Sequence, residues 1–206
     1  MFKRKIAFFL ILIGASLIIY GISSHISYKK QERELINLIE DNFINSEAEL
    51  KLDENIKVEE NLNSNPTSKE DNYVNNKINP IGILEIPSIK LKAGIIKGAT
   101  TKELRQGIGY YTNTSLPSEI EGNFVIAAHD SGKMPIFRNL KSLEIGDEVI
   151  VNQKNKSFKY IVTDKFIVNP YDVEILQSVQ GKKQITMFTC TNKGKQRLVV
   201  RGEAIE

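Results

Sequence analysis

Three residues in the second half of this 206-residue chain have side chains suited to acyl-transfer chemistry: Cys190, His129 and Arg197. Cys190 is the only cysteine and closes the apolar run QITMFTC. Arg197 opens the next apolar run, RLVVRGEAI, across the polar turn Thr191-Asn192-Lys193-Gly194. His129 closes the run GNFVIAAH and is followed by the polar DSGK. A thiolate is a strong nucleophile, an imidazole moves protons near neutral pH, and a guanidinium donates hydrogen bonds to an oxyanion. If the runs on either side of the turn pair as a hairpin, Cys190 and Arg197 lie together at its turn end. Plain readings stand beside this one. A lone cysteine is commonly a small buried hydrophobe, a histidine at a strand end can be a satisfied rim residue, and a single arginine can decorate an exposed strand face. The conjunction is more informative, because the sole cysteine and the sole histidine after residue 77 both terminate apolar runs.

These residues need a scaffold of strands. From Asn79-Pro80 onward the chain reads as short β-type runs separated by turn signals: IGILEIP, IKLKAGIIKG, GNFVIAAH, GDEVIV, SFKYIVTDKFIV, QITMFTC and RLVVRGEAI. TTKELRQG is one capped helical turn, with Thr100 or Thr101 as cap and Gly107 as stop. At least seven strands with brief helical pieces indicate an antiparallel barrel or sandwich. One cysteine excludes an intrachain disulfide framework, and two histidines (His25 and His129) leave little material for a zinc site.

The amino-terminal segment is different. A basic head, Lys3-Arg4-Lys5, precedes an uncharged apolar run over 6–24, about the length of a spanning helix. The next cation is Lys29, so the positive-inside rule puts residues 1–5 in the cytoplasm and everything beyond the anchor outside. A cleaved signal peptide competes, but the run is long for one and no Ala-x-Ala site follows. Leu35, Ile36, Leu38, Ile39, Phe43 and Ile44 recur with helical period and extend the anchor as a stalk. The acidic, Asn-rich stretch that follows is too poor in apolar residues to fold and reads as a flexible spacer, so 25–77 is stalk and linker and 78–206 is the folded domain. The net charge of +3 is uneven: +3 over 1–24, −6 over 25–76 and +6 over 77–206. No nucleic-acid-binding signature accompanies the basic domain, so no nucleic-acid partner is expected. An anionic membrane or cell wall suits it better.

With these residues placed, the sequence resembles the sortases, membrane-anchored cysteine transpeptidases of Gram-positive bacteria. The resemblance runs from about Ile81 to the end, through IGILEIPSIKL, GIGYYTNTSLPSEIEGN, GNFVIAAH, FRNLKSLEIGDEV, VNPYDVEIL and TMFTC followed by arginine and LVVRGE. It implies an all-β fold, a closed antiparallel eight-stranded barrel with short helices. It implies that Cys190 attacks the Thr–Gly carbonyl of an LPXTG-like sorting signal on a surface protein and that a cell-wall precursor amine resolves the thioacyl enzyme. His129 would serve as acid and then base, and Arg197, which stands just before LVVRG, as holder of substrate and oxyanion. Ala127, Val173, Ile175, Leu176 and Thr189 are similar to positions lining the family's substrate groove, with 169–184 as the specificity loop. Ala128, where the family commonly has glycine, and Phe188-Thr189 depart from its pattern. The single anchor is similar to class A or class D. Some class A members bind calcium through acidic loops; Glu103, Glu119 and Glu121 are available, but no metal or other cofactor is carried over. Two competing readings are another Cys/His acyl-transfer enzyme, such as an L,D-transpeptidase or cysteine protease, and a tethered β-barrel binding module without catalysis.

Overall fold

A computed structural model describes residues 2–53 and 78–205; most of the expected spacer lies outside the described residues. The first element is helix α1 (Phe2–Asp53). Eight strands follow: β1 (Pro80–Ile86), β2 (Leu91–Lys97), β3 (Ile108–Tyr110), β4 (Gly122–Ala127), β5 (Glu148–Gln153), β6 (Lys156–Val168), β7 (Lys183–Thr191) and β8 (Gln196–Ile205), with the short helix α2 (Thr101–Leu104) between β2 and β3. They close into a barrel in the order β1-β2-β3-β4-β7-β8-β6-β5, sealed where Ile83, Leu84 and Glu85 pair with Asn152, Val151 and Ile150.

The expected closed eight-stranded barrel is present, and most of its interfaces are antiparallel. Two are parallel, β2 with β3 and β4 with β7. Both follow from the connections. The α2 turn crosses over before β3, and the β5–β6 pair intervenes between β4 and β7, so neither partner can return as a hairpin. Strand β3 was not among the sequence-predicted runs. It is three residues long and has a glycine both before it and within it, too little for a period-2 pattern. Helix α2 starts where its sequence indicates. The Thr100 hydroxyl oxygen accepts from the Lys102 N–H, and the Glu103 carboxylate accepts from the Thr100 N–H at 3.0 Å, a reciprocal cap.

Alternation along the strands fills the barrel. Phe124 and Ile126 from β4, Ile185 and Met187 from β7 and Val200 from β8 meet Leu84, Ile86, Val149, Val151, Tyr160 and Val162 in one buried cluster. Each such side chain contributes about 1.5–3 kcal/mol on burial. The residues between them, Val125, Ala127, Phe188 and Val199, therefore face the outside of the barrel, where they form a second cluster.

Helix α1 is continuous through both the expected anchor and the expected stalk. Its early part exposes Phe9, Leu12, Leu17, Ile18, Ile19, Ile22 and Ile26, and by length and composition it can cross a membrane. Farther along it is no free stalk. Leu35 and Ile39 are buried against Ile83 and Ile96, with Ile36, Phe43 and Ile78 packed around them. Gly94 permits the close approach: a Cβ there would stand 2.7 Å from Leu35 Cδ2 and 2.8 Å from Ile39 Cδ1. The helical period indicated a helix extending the anchor, but not that it packs against the barrel.

Candidate active site

Strand register places the three reactive side chains. Cys190 pairs directly with Arg197 across β7 and β8, as the hairpin reading expected. On the other side of β7, parallel pairing joins Ala127 to Phe188, and the Ala128 N–H donates to the Phe188 carbonyl at 3.4 Å. β4 ends at Ala127, and His129 follows two residues later, just past Ala128, whose carbonyl is bonded to Thr189 next to Cys190. Strand parity sends Cys190 and Arg197 outward: Cys190 shares its face with Phe188 and Arg197 with Val199, both of the outer cluster. Cys190, His129 and Arg197 are each partly exposed rather than sealed. Two hydrogen bonds brace the histidine end. The Thr189 hydroxyl donates to the Ala128 carbonyl at 2.6 Å, and the Phe137 N–H donates to the His129 carbonyl at 2.9 Å.

The guanidinium of Arg197 is oriented by the turn it follows. Its Nη1 donates to the carbonyls of Gly194 and Gln196, each at 3.0 Å. The turn can present those carbonyls because Asn192 and Lys193 adopt φ of 48° and 55°, a left-handed bend that asparagine tolerates well. Beside the three residues runs the outer apolar cluster. Val125, Ala127, Ile175, Phe188 and Val199 are its buried members, flanked by Leu104, Tyr111, Phe166, Val168 and Leu176. The arrangement offers a nucleophile, a proton carrier and a hydrogen-bond donor at one edge of an apolar strip.

The family model described as Sortase domain matches residues 84–205, more than half of the chain. The chain belongs to the sortase family. Sortase A of Streptococcus agalactiae serotype III (strain NEM316) is 30% identical over 130 residues, which are 60% of this chain and 52% of that protein. Sortase A of Bacillus anthracis is 29% identical over 128 residues, 61% of this chain and 60% of that one. The chain thus spans half to three fifths of these curated relatives. The solved structure of the Clostridium perfringens Sortase D5 transpeptidase superposes with a TM-score of 0.66 at 29% identity, covering 86% of this chain and 99% of that one.

In this sortase, the residues expected along the groove divide. Ala127, Ile175 and Leu176 join the outer apolar cluster. Thr189 instead turns toward the barrel interior and acts as the brace to Ala128. Val173 is 63% exposed, just ahead of the helical turn Glu174–Leu176, and stays outside the cluster. The glutamates considered for calcium are engaged locally. Glu103 caps α2, Glu119 accepts from the Leu116 N–H at 2.6 Å, and Glu121 accepts from the Gly181 N–H at 2.8 Å. Among the described residues, no three His, Cys, Asp or Glu side chains gather as a metal cluster.

Two residues of the candidate site escaped the sequence reading. Tyr111 stacks on Phe188 with ring centroids 5.4 Å apart, and its phenol lies within electrostatic range of both Arg197 and Cys190. Burial pushes that phenol above its ordinary range, Arg197 pulls it down and Cys190 pushes it up; the net shift is upward. It therefore remains a neutral hydrogen-bond donor at working pH. Tyr111→Phe keeps the stacking and removes the donor. The expected result is a kcat/KM lowered about tenfold, the worth of one hydrogen bond, with an unchanged melting temperature. An unchanged kcat/KM would make Tyr111 a packing residue only. In sequence, Tyr111 was only the last residue of GIGYY, with nothing to relate it to a cysteine 79 positions on.

Asn123 is the other. It is fully buried, donates from Nδ2 to the carbonyls of Ile175 and Gln177 at 3.0 Å each, and accepts from the Thr186 hydroxyl at 2.8 Å. It ties the segment carrying Ile175 and Leu176 onto β4. Asn123→Ala leaves the buried Ile175 carbonyl and Thr186 hydroxyl, and the part-buried Gln177 carbonyl, without that partner and should cost about 3 kcal/mol, read as a lower denaturation midpoint. Amide exchange should quicken around 174–177 more than in β7.

Proposed function

We propose that this sortase is a membrane-anchored cysteine transpeptidase. It cleaves an LPXTG-like sorting signal between Thr and Gly and joins the surface protein to an amine of a cell-wall precursor. The observation that supports the reading is the register that pairs Cys190 with Arg197 on the outward face, with His129 two residues past the end of the adjoining strand β4. The Cys190 thiolate adds to the threonine carbonyl, and Arg197 donates hydrogen bonds to the oxygen that gains charge. The C–N bond then breaks as the glycine nitrogen takes a proton from the His129 imidazolium, leaving a thioester. The incoming amine loses a proton to His129 as it attacks that thioester, and Cys190 leaves as thiolate. No redox partner or cofactor enters these steps. The apolar strip from Ala127 to Leu176 suits the Leu-Pro side of the signal.

The amino-terminal helix supports anchoring. The cations Lys3, Arg4 and Lys5 ahead of its apolar part favour a cytoplasmic amino terminus and an extracytoplasmic barrel. The breadth of the likeness to the Clostridium perfringens D5 structure favours class D over class A.

The test uses the full chain in detergent micelles with an LPXTG peptide and no added amine. Intact-mass analysis should show the peptide's amino-terminal fragment on Cys190, released by hydroxylamine. Absence of both adduct and cleavage overturns the reading. An unreactive native thiol would turn it toward a binding module, and transfer from a donor other than a sorting signal toward another Cys/His acyl-transfer enzyme.

A further inference from the structure

Between α1 and the barrel rim lies a cavity of about 440 Å³ bordered by Tyr28, Lys29, Glu32, Lys90, Lys133 and Arg138. Its charge is one-sided. The one carboxylate among these, Glu32, is 5% exposed and already committed: it accepts from the Tyr28 hydroxyl and the Lys29 ammonium, each at 3.0 Å. Lys90, Lys133 and Arg138 are exposed and, among the described residues, form no ion pair. Lys90 is held at φ 53°, in the left-handed region that a lysine seldom adopts.

The height of the cavity along α1 is informative. Gly21, within the apolar stretch, borders it together with Lys29, the first cation after that stretch. A second cavity of about 270 Å³ shares Tyr28 and Lys133 and continues past Tyr20, Ser23 and Ser27. A third, of about 460 Å³, shares Ser23 and Ser27 and is walled by Ile19, Ile22 and Ile26, with Lys30 at its border. The series runs from cationic to apolar within a few helical turns. A free anion would need only the first cavity. A molecule with a phosphate head and hydrocarbon tails matches all three.

We propose that the junction between α1 and the barrel binds an anionic phospholipid, its phosphate among Lys90, Lys133 and Arg138 and its chains along the apolar side of α1. The inference rests on α1 as the membrane anchor but not on the transpeptidase reaction, so it can fail while the reaction stands. Clustered basic residues at a membrane surface draw anionic headgroups in this way. Lys133 and Arg138 belong to the segment after His129, which Phe137 ties back to the His129 carbonyl. A bound headgroup thus pins the segment leading away from the candidate proton carrier.

The test is native mass spectrometry of the full chain in non-ionic detergent, with equimolar phosphatidylglycerol and phosphatidylcholine of matched chains. The wild type should retain phosphatidylglycerol in preference. Lys90→Gln/Lys133→Gln/Arg138→Gln should lower that retention at least about tenfold and leave phosphatidylcholine unchanged. A control with the same charge removed elsewhere, Lys102→Gln/Lys154→Gln/Lys156→Gln, should bind as the wild type does. These side chains are exposed, and equal melting temperatures verify folding. Equal retention of the two lipids, equal loss in the control, or full displacement by millimolar glycerol phosphate would each overturn the proposal, the last in favour of a soluble anion.

Discussion

Cys190→Ala is expected to bring amine-dependent peptide transfer down to the uncatalysed background, a loss of about 10⁴-fold or more. The chain has no second thiol. The strand partner Arg197 and the neighbouring His129 can orient a substrate but cannot form a thioester. Because Cys190 is partly exposed, losing its sulfur opens no core cavity, and melting temperature and peptide affinity should stay close to wild type. His129→Ala alone should cost nearly as much, and the double variant little more than either single one, because the two groups act as one device. The measurement is the transfer rate between an LPXTG peptide and a small amine, followed chromatographically. Transfer by Cys190→Ala at even a tenth of the wild-type rate would remove the thiol from the mechanism.

The second large effect belongs to Arg197. Arg197→Lys should lower kcat/KM by about 10²–10³-fold, mostly in kcat, despite the conserved charge. Nη1 is occupied by the Gly194 and Gln196 carbonyls, and this holds the planar group while leaving its other N–H donors for the substrate. An ammonium has a single nitrogen on a flexible stem and cannot anchor to the turn and aim at an oxyanion in two directions at once. Steady-state kinetics on the same peptide decide. A change of less than about twofold would reduce Arg197 to a turn-stabilising role.

Much of the candidate site was legible because its signals are local. Cys190, the four-residue polar turn and Arg197 specify a hairpin, and a hairpin fixes which residues face each other across it. His129 was recognisable as the end of an apolar run. The approach of the His129 end of β4 to the Cys190 end of β7 was not, since it depends on those strands pairing in parallel across 55 residues of intervening chain. Thr189 shows the same limit. It sits next to the cysteine in sequence and was expected beside the groove, but one step along a strand reverses the face, and it points into the barrel. Nothing in the run GNFVIAAH marked Asn123 as the buried clamp of the segment after β6.

By itself the sequence determined the apolar amino-terminal helix, seven of the eight strands, the α2 cap and the residue types able to transfer an acyl group. These rest on periodicity and on turn and cap chemistry, which act over a few residues. Only the tertiary structure decided the closure of β1 on β5, the two parallel interfaces, the outward face shared by Cys190 and Arg197, and the docking of α1 through Leu35 and Ile39 over Gly94. Each of these depends on which distant surfaces bury one another, and hydrophobic burial has no direction along the chain. A pattern can announce that a face will be covered; the partner is chosen by the packing of the whole molecule.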